Sequence, residues 1–332
     1  MIDPFTRIGE LDDCSRVDFE VAIVCVGARE RAAFKRAATL RPSGEPLDVD
    51  ALLRQADAHD FGRMYLVVPP TGSWPLPIYE LALMAERRAR ELSLYVHITI
   101  VTPEPDPLIV FGRLPSDAVA SLLADRGIEV RTSARAHEDD DGAIVLGPSG
   151  EHLDAGAVIA LPELGGPAVP GLPTDQRGFI PIDEHAQILG VSSVYAAGDA
   201  TTFPIKHGGL GTQQADAAAE HIAARAGATI EPAPFHPVIR GKLITGDEPL
   251  NLQADIAGGG GEGVSSLDYL WWPPQKIDGK YLSAQPSGPT PHELSPPPEH
   301  GIDVELSLDK DWHRDPDALD PHIGPASQGP GV

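Results

Sequence analysis

Short apolar runs alternate with segments of helical period along most of the chain. The stretch "DFEVAIVCVGARE" (Asp18 to Glu30) is apolar, β-branched and closed by Gly27, which predicts a buried strand. A helical segment around Asp48 to Asp57 precedes "RMYLVVPP", a strand stopped by two prolines. In "PIYELALMAERRAREL" the period puts Leu81, Met84 and Ala85 on an apolar face and Arg87, Arg88 and Arg90 on a solvated one. Next come a strand in "LYVHITIVTPEP", a helix in "SDAVASLLADRG" capped by Ser116 and closed by Gly127, and a strand in "IEVRTSA". This alternation predicts a parallel α/β unit with right-handed crossovers.

Further strands are expected in "EHLDAGAVIALP" and "GFIPIDEHAQILGVSSVYAAGD", then a helix from about Thr212 to Ala226. Glu231 to Leu282 reads as β-rich closing structure. From Ser283 the last 50 residues hold 10 prolines and many acids, which predicts a disordered tail. The run "AGGGGEG" (Ala257 to Gly263) lacks the Lys-Ser/Thr ending of a phosphate loop and reads as a hairpin loop.

Composition narrows the function classes. A length of 332 residues, 42% of them hydrophobic, suffices for two compact domains. The formal charge of −24 argues against binding nucleic acid or an anionic membrane through the net field. No apolar run reaches the roughly 18 residues of a transmembrane helix, and the first residues lack a signal peptide's order, so a cytoplasmic protein is expected. Two cysteines, Cys14 and Cys25, give no disulfide framework, and the tail histidines His313 and His322 lack ligand spacing, so no metal site is expected.

The chemistry concentrates in "SSVYAAGDATTFPIKHGGLGTQQADAAAEHIAA". Asp199, just past an expected strand end, is placed to accept hydrogen bonds from a ribose or ribitol hydroxyl. Gly198 lets a ligand approach the backbone without a Cβ in the way. Gly208 and Gly209 open a helix whose N-terminus favours negative charge. A bare Gly-Asp pair is also a common turn or cap.

The segment "VYAAGDATTFPIKHGGLGTQQADAAAEHIA" resembles the second flavin-binding motif of the pyridine nucleotide-disulfide oxidoreductase superfamily. Within it, type II NADH dehydrogenases and sulfide:quinone oxidoreductase-like proteins are the most similar. The resemblance covers about residues 18 to 282 and is most specific from Val194 to Gln214. It implies two interleaved Rossmann-like doubly wound domains, the first N-terminally incomplete, with a small C-terminal segment. The implied units are 1–60 (FAD-domain remnant and crossover), 61–145 (NAD(P)-binding-like), 146–230 (second part of the FAD domain), 231–282 (closing segment) and 283–332 (tail).

The resemblance further implies FAD and NAD(P)H as cofactors and a small-molecule electron acceptor such as a quinone, and it allows a homodimer. Asp199 and Gly198 would hold the ribitol, with Gly208, Gly209, Gln213 and Gln214 at the helix start. Gln213 and Gln214 would reach the ring carbonyls or only cover that start. Lys206 and His207 would face flavin or acceptor as catalytic residues, with a loop hydrogen bond as the other role for His207. Glu80 matches an acid near the nicotinamide side, and Glu104 is the candidate ribose acceptor; either also reads as a surface carboxylate.

Two departures stand out. No GxGxxG lies near the start, where relatives seat the FAD pyrophosphate on a helix N-terminus. The second nucleotide loop reads "VVPPTGSWPLPIYE", with Gly72 its only glycine and prolines at 69, 70, 75 and 77 removing backbone donors. The cysteine spacing disfavours dithiol and sulfide chemistry. Two readings follow: an FAD-dependent oxidoreductase, or a truncated or degenerate non-catalytic homologue that persists as a binding protein or gene remnant.

Overall fold

The computed structural model describes residues 1–41, 46–58, 62–71, 74–153, 156–256, 263–271, 277 and 279–281. Gly72, the glycine run 257–262 and the tail from Ser283 lie outside the described residues. In chain order the elements begin with β1 (Ile2–Asp3), β2 (Ile8–Glu10), β3 (Arg16–Asp18), β4 (Ala22–Val24), β5 (Arg29–Arg31) and β6 (Ala38–Thr39). Then follow α1 (Val49–Ala58), β7 (Arg63–Val67), α2 (Leu76–Glu91), β8 (His97–Val101), α3 (Arg113–Asp125) and β9 (Glu129–Arg131). Next are β10 (Arg135–Glu138), β11 (Ile144–Gly147), β12 (Glu151–His152), β13 (Ala157–Ala160), β14 (Glu163–Gly165) and β15 (Val194–Ala196). The last are α4 (Gly208–Arg225), β16 (Val238–Leu243), β17 (Leu250–Asp255) and β18 (Gly263–Ser266).

The fold is α/β and Rossmann-like. Its main sheet is fully parallel, in the order β6-β13-β7-β8-β9. A parallel sheet needs both faces covered, and the alternation in β7 serves that need. Met64 and Leu66 enter the core that includes α1, α2 and α3, while Tyr65 and Val67 enter one built with Ala136, Ile144 and Leu146 of the β10–β11–β12 meander.

Two helices differ from expectation in a definable way. On α2 the buried face is Ile78, Tyr79, Ala82, Leu83, Ala85 and Ala89, whereas Met84 is exposed and Leu81 only partly buried. Helix α3 begins three residues before Ser116, with Gly112 as its cap at φ 90°, and Ser116 is a buried residue of the first turn. Pro115 misleads here: a proline in the first turn loses no helical bond, so it continues the helix rather than barring it. Gly127, at φ 67°, ends α3 as the pattern predicts.

A second, smaller system carries the strand end of interest. β15 pairs in parallel with β4, and Val24, Val194, Ala196, Ile180 and Ile188 form its core. The strand expected over Asp18 to Glu30 shrinks to the three residues of β4. Val21, Ile23, Cys25 and Val26 are exposed, so the apolar run is not a buried strand and Cys25 is not an interior thiol. Among the described residues β4 has one neighbour strand, β15, and burial of an apolar run depends on neighbours. Residues ahead of it form a three-stranded antiparallel sheet, β1-β2-β3, whose strands are too short and polar to signal themselves.

The closing segment is an antiparallel meander, β16-β17-β18. It packs against the start of α3, and Gly241 is required there, because a Cβ would stand 2.6 Å from the Phe111 ring.

Candidate functional site

β15 is buried at every residue and delivers the chain to Gly198, whose φ of 77° turns it sharply. L-residues with a Cβ resist that conformation, so glycine serves the turn itself. The same position touches α4: a Cβ on Gly211 would lie 3.0 Å from Gly198 Cα. Two glycines thus let a helix start cross a strand end at backbone contact. The crossing also explains why α4 starts four residues before the expected Thr212, through the glycines that normally weaken a helix.

Asp199 follows in a short turn, half-buried. Burial pushes its carboxyl up, and the Lys206 ammonium pulls it back. Lys206 is itself buried, and burial brings it down to about 8 against the attraction of Asp199. Its Nζ donates to the Thr201 carbonyl and stands 3.9 Å from the centroid of the Phe179 ring. The result is a buried ammonium over an aromatic face, whose field reaches the half-buried carboxylate at the strand end. Phe179 and Thr201 had no signal in the sequence as parts of this arrangement, since they lie on separate turns that only the fold brings together.

His207 is buried and caps α4 in extended conformation, its carbonyl accepting from the Leu210 and Gly211 amides. Its ring packs on Trp74 at 4.8 Å between centroids, and Trp74 in turn meets Phe111 edge-on at 5.5 Å. Gly208 is exposed and Gly209 buried. The Gly209 carbonyl accepts from Thr212 Oγ1 at 2.9 Å and from Gln213 Nε2 at 2.9 Å.

Both glutamines spend their amides on the backbone. Gln214 Oε1 accepts from the Gly198 amide at 2.7 Å, fixing the turn that carries Asp199. Gln213 accepts from the Val238 amide at 2.9 Å and donates to the Val238 carbonyl at 2.8 Å, joining α4 to β16. They cover and anchor the helix start, one of the two roles open to them from the sequence.

The acids of the nucleotide-like unit lie elsewhere. Glu80, on α2, accepts from the Ile244 amide at 3.1 Å. Glu104 is only 1% exposed, and its Oε2 accepts from the Tyr79 hydroxyl at 2.7 Å and the Thr102 hydroxyl at 2.8 Å. Burial pushes its carboxyl up to about 7. A ribose acceptor must meet solvent, so Glu104 does not fit that role in this arrangement, and it is not a surface carboxylate either. The prolines of the altered loop serve α2 instead: Pro75 caps it and Pro77 sits in its first turn.

Among the described residues no group of three or more His, Cys, Asp or Glu is placed to hold a metal, and no helix is long and apolar enough to cross a membrane.

A family model described as pyridine nucleotide-disulphide oxidoreductase matches residues 79–221. No curated protein matches the sequence. Among solved structures, the chain is similar to the sulfide:quinone oxidoreductase of Aquifex aeolicus at 16% identity and TM-score 0.69, covering 80% of this chain and 68% of that one. It is also similar to a ferredoxin reductase for the CYP199A2 system of Rhodopseudomonas palustris at 18% identity and TM-score 0.54, with the same coverage of 80% and 68%. Likeness at such identity speaks for the fold, and the family match runs from α2 through the Gly198–Asp199 turn into α4. Over residues 79–221 the chain thus matches the pyridine nucleotide-disulphide oxidoreductase family model, and it shares the fold of these two reductases.

Proposed function

We propose that the chain is an FAD-dependent oxidoreductase that passes reducing equivalents from NAD(P)H through flavin to a quinone or another small acceptor. One observation carries the reading: Asp199 stands half-buried just beyond β15, on a turn that Gly198 makes and the Gln214 side chain fixes, where the helix α4 begins. These residues fit the ribitol half of a flavin. Asp199 would accept from a ribitol hydroxyl, and Gln214 holds the turn in place through the Gly198 amide. The buried Lys206 ammonium attracts that carboxylate and favours its charged form. Bound flavin contributes two-electron acceptance and onward transfer of electrons. The fold shared with a sulfide:quinone oxidoreductase and a ferredoxin reductase supports the class, and the acceptor is part of the proposal.

For the nicotinamide nucleotide the fit is poor, because Glu104 is sealed under Tyr79 and Thr102. That burial favours the other reading, a non-catalytic homologue that keeps the fold as a binding protein. Titrating the purified chain with FAD separates the two. Bound flavin absorbance that Asp199→Ala reduces at least tenfold in affinity supports the oxidoreductase. A chain that takes up no FAD at any concentration leaves the non-catalytic reading standing.

A further inference from the structure

A cleft of about 410 Å³ opens where α2 and α3 end, at the amino end of β8 and so at the opposite end of that strand from Glu104. Its apolar lining is Ala89, buried near the end of α2, with Leu94 and Val96 of the link to β8. Ser93, at φ 55°, turns the chain out of the helix. Tyr95 follows, 89% exposed, with its amide donating to Asp57 at 2.8 Å. The charged lining is Glu86, Arg90 and Arg126. Glu86 Oε2 accepts from Arg90 Nη2 at 3.3 Å and from Arg126 Nη1 at 3.4 Å, both longer than the usual bond of this kind. No acid around the cleft serves one arginine alone: Asp247 is shared by Arg126 and Arg87, and Glu91 by Arg87 and Arg88. Arg90 spends Nε and Nη2 on Glu86, which leaves its third nitrogen for a ligand.

We infer that this cleft binds a small organic carboxylate with a flat apolar body, its charge between Arg90 and Arg126 and its body against Ala89, Leu94, Val96 and the Tyr95 ring. Guanidinium groups match the planar, two-oxygen shape of a carboxylate, and here two of them share one acid through long bonds. An ammonium ligand would meet two guanidiniums against a single lining carboxylate. A bare inorganic anion would leave the apolar lining and the open face of Tyr95 unused. The volume suits one compact small molecule. With a net charge of −24 the chain as a whole repels anions, so the attraction must come from these local guanidiniums and must weaken with salt. Flavin has no part in this cleft, and its binding or absence leaves the lining unchanged.

Benzoate is the probe, titrated into the full chain and followed by calorimetry and by amide chemical shifts. Its binding should saturate and move the amides of Ser93 to Val96 while those of Gly198 to Gln214 stay in place. Benzylamine has the same ring and the opposite charge, and inorganic phosphate has charge without a ring; each should bind at least about tenfold more weakly. The Arg90 side chain is 62% exposed, so Arg90→Met should leave the melting temperature unchanged and weaken benzoate about tenfold. Tyr95→Ala should weaken it about threefold, again without loss of fold. Benzoate that fails to saturate below its solubility limit would overturn the inference, as would shifts that spare Ser93 to Val96. So would benzylamine or phosphate binding as tightly as benzoate, or a benzoate affinity indifferent to both substitutions.

Discussion

Lys206 and Glu104 are both buried ionisable groups, and burial moves them in opposite directions, to about 8 and about 7. For Lys206 the folded value lies below the ordinary 10.5, so folding carries the cost of a buried charge up to about pH 8 and sheds it as pH rises from 8 to 10.5. Lys206→Met should therefore gain up to about 3 kcal/mol at pH 7, less the lost bond to Thr201 and the contact with Phe179. Urea unfolding should show that gain shrinking across the alkaline window. For Glu104 the folded value lies above the ordinary 4.5, so its contribution is complete below 4.5 and is lost as pH rises through 7. Glu104→Gln should remove that slope, of about 3 kcal/mol, between pH 4.5 and 7, as read from unfolding midpoints. Asp199 was legible in the sequence from its strand, glycine and helix context. Its coupling to Lys206 and the sealing of Glu104 were not, because each depends on the side-chain packing of separate turns.

At the scale of elements, α4 is held at both ends, and each hold can be tested apart from flavin. Its N-terminal turn crosses Gly198, and Gly211→Ala sets the gain in helix propensity against a 3.0 Å contact with backbone. The contact should win by about 1–2 kcal/mol in thermal unfolding, because neither backbone can retreat. Farther along, Glu220 accepts from Lys280 Nζ at 2.5 Å, the Tyr281 hydroxyl at 2.7 Å and the Ala233 amide at 3.1 Å. These donors, Lys280 foremost, hold its carboxyl down at about 2. Its stabilisation is present above the ordinary 4.5 and is lost as pH falls towards 2. Glu220→Gln should cost about 1–3 kcal/mol at pH 7 and little near pH 2, and limited proteolysis should then cut sooner near Tyr281. β7 and β8 were readable because they are buried almost throughout, and α2 because one of its faces is, although Met84 turned out to lie off that face. β4 was not, since its apolar residues face an edge that the described residues do not cover, and the start of α4 was hidden by glycines that tertiary contact requires.

Across the whole molecule, two sheet systems meet. The parallel sheet with its meander forms one, the β4–β15 pair with the N-terminal strands the other, and α4 belongs by packing to both through Leu210 and Tyr195. The family match begins inside the first system and ends inside the second, so the resemblance describes their junction as much as either part. The Gln213 amide bonds to both backbone groups of Val238, imitating a strand neighbour with a side chain. Hydrogen exchange at Val238 should thus follow the slowest amides of α4 rather than those of its own meander. Replacing Gln213 by Ala should uncouple them, letting the closing sheet open and shut while the rest of the protein stays folded.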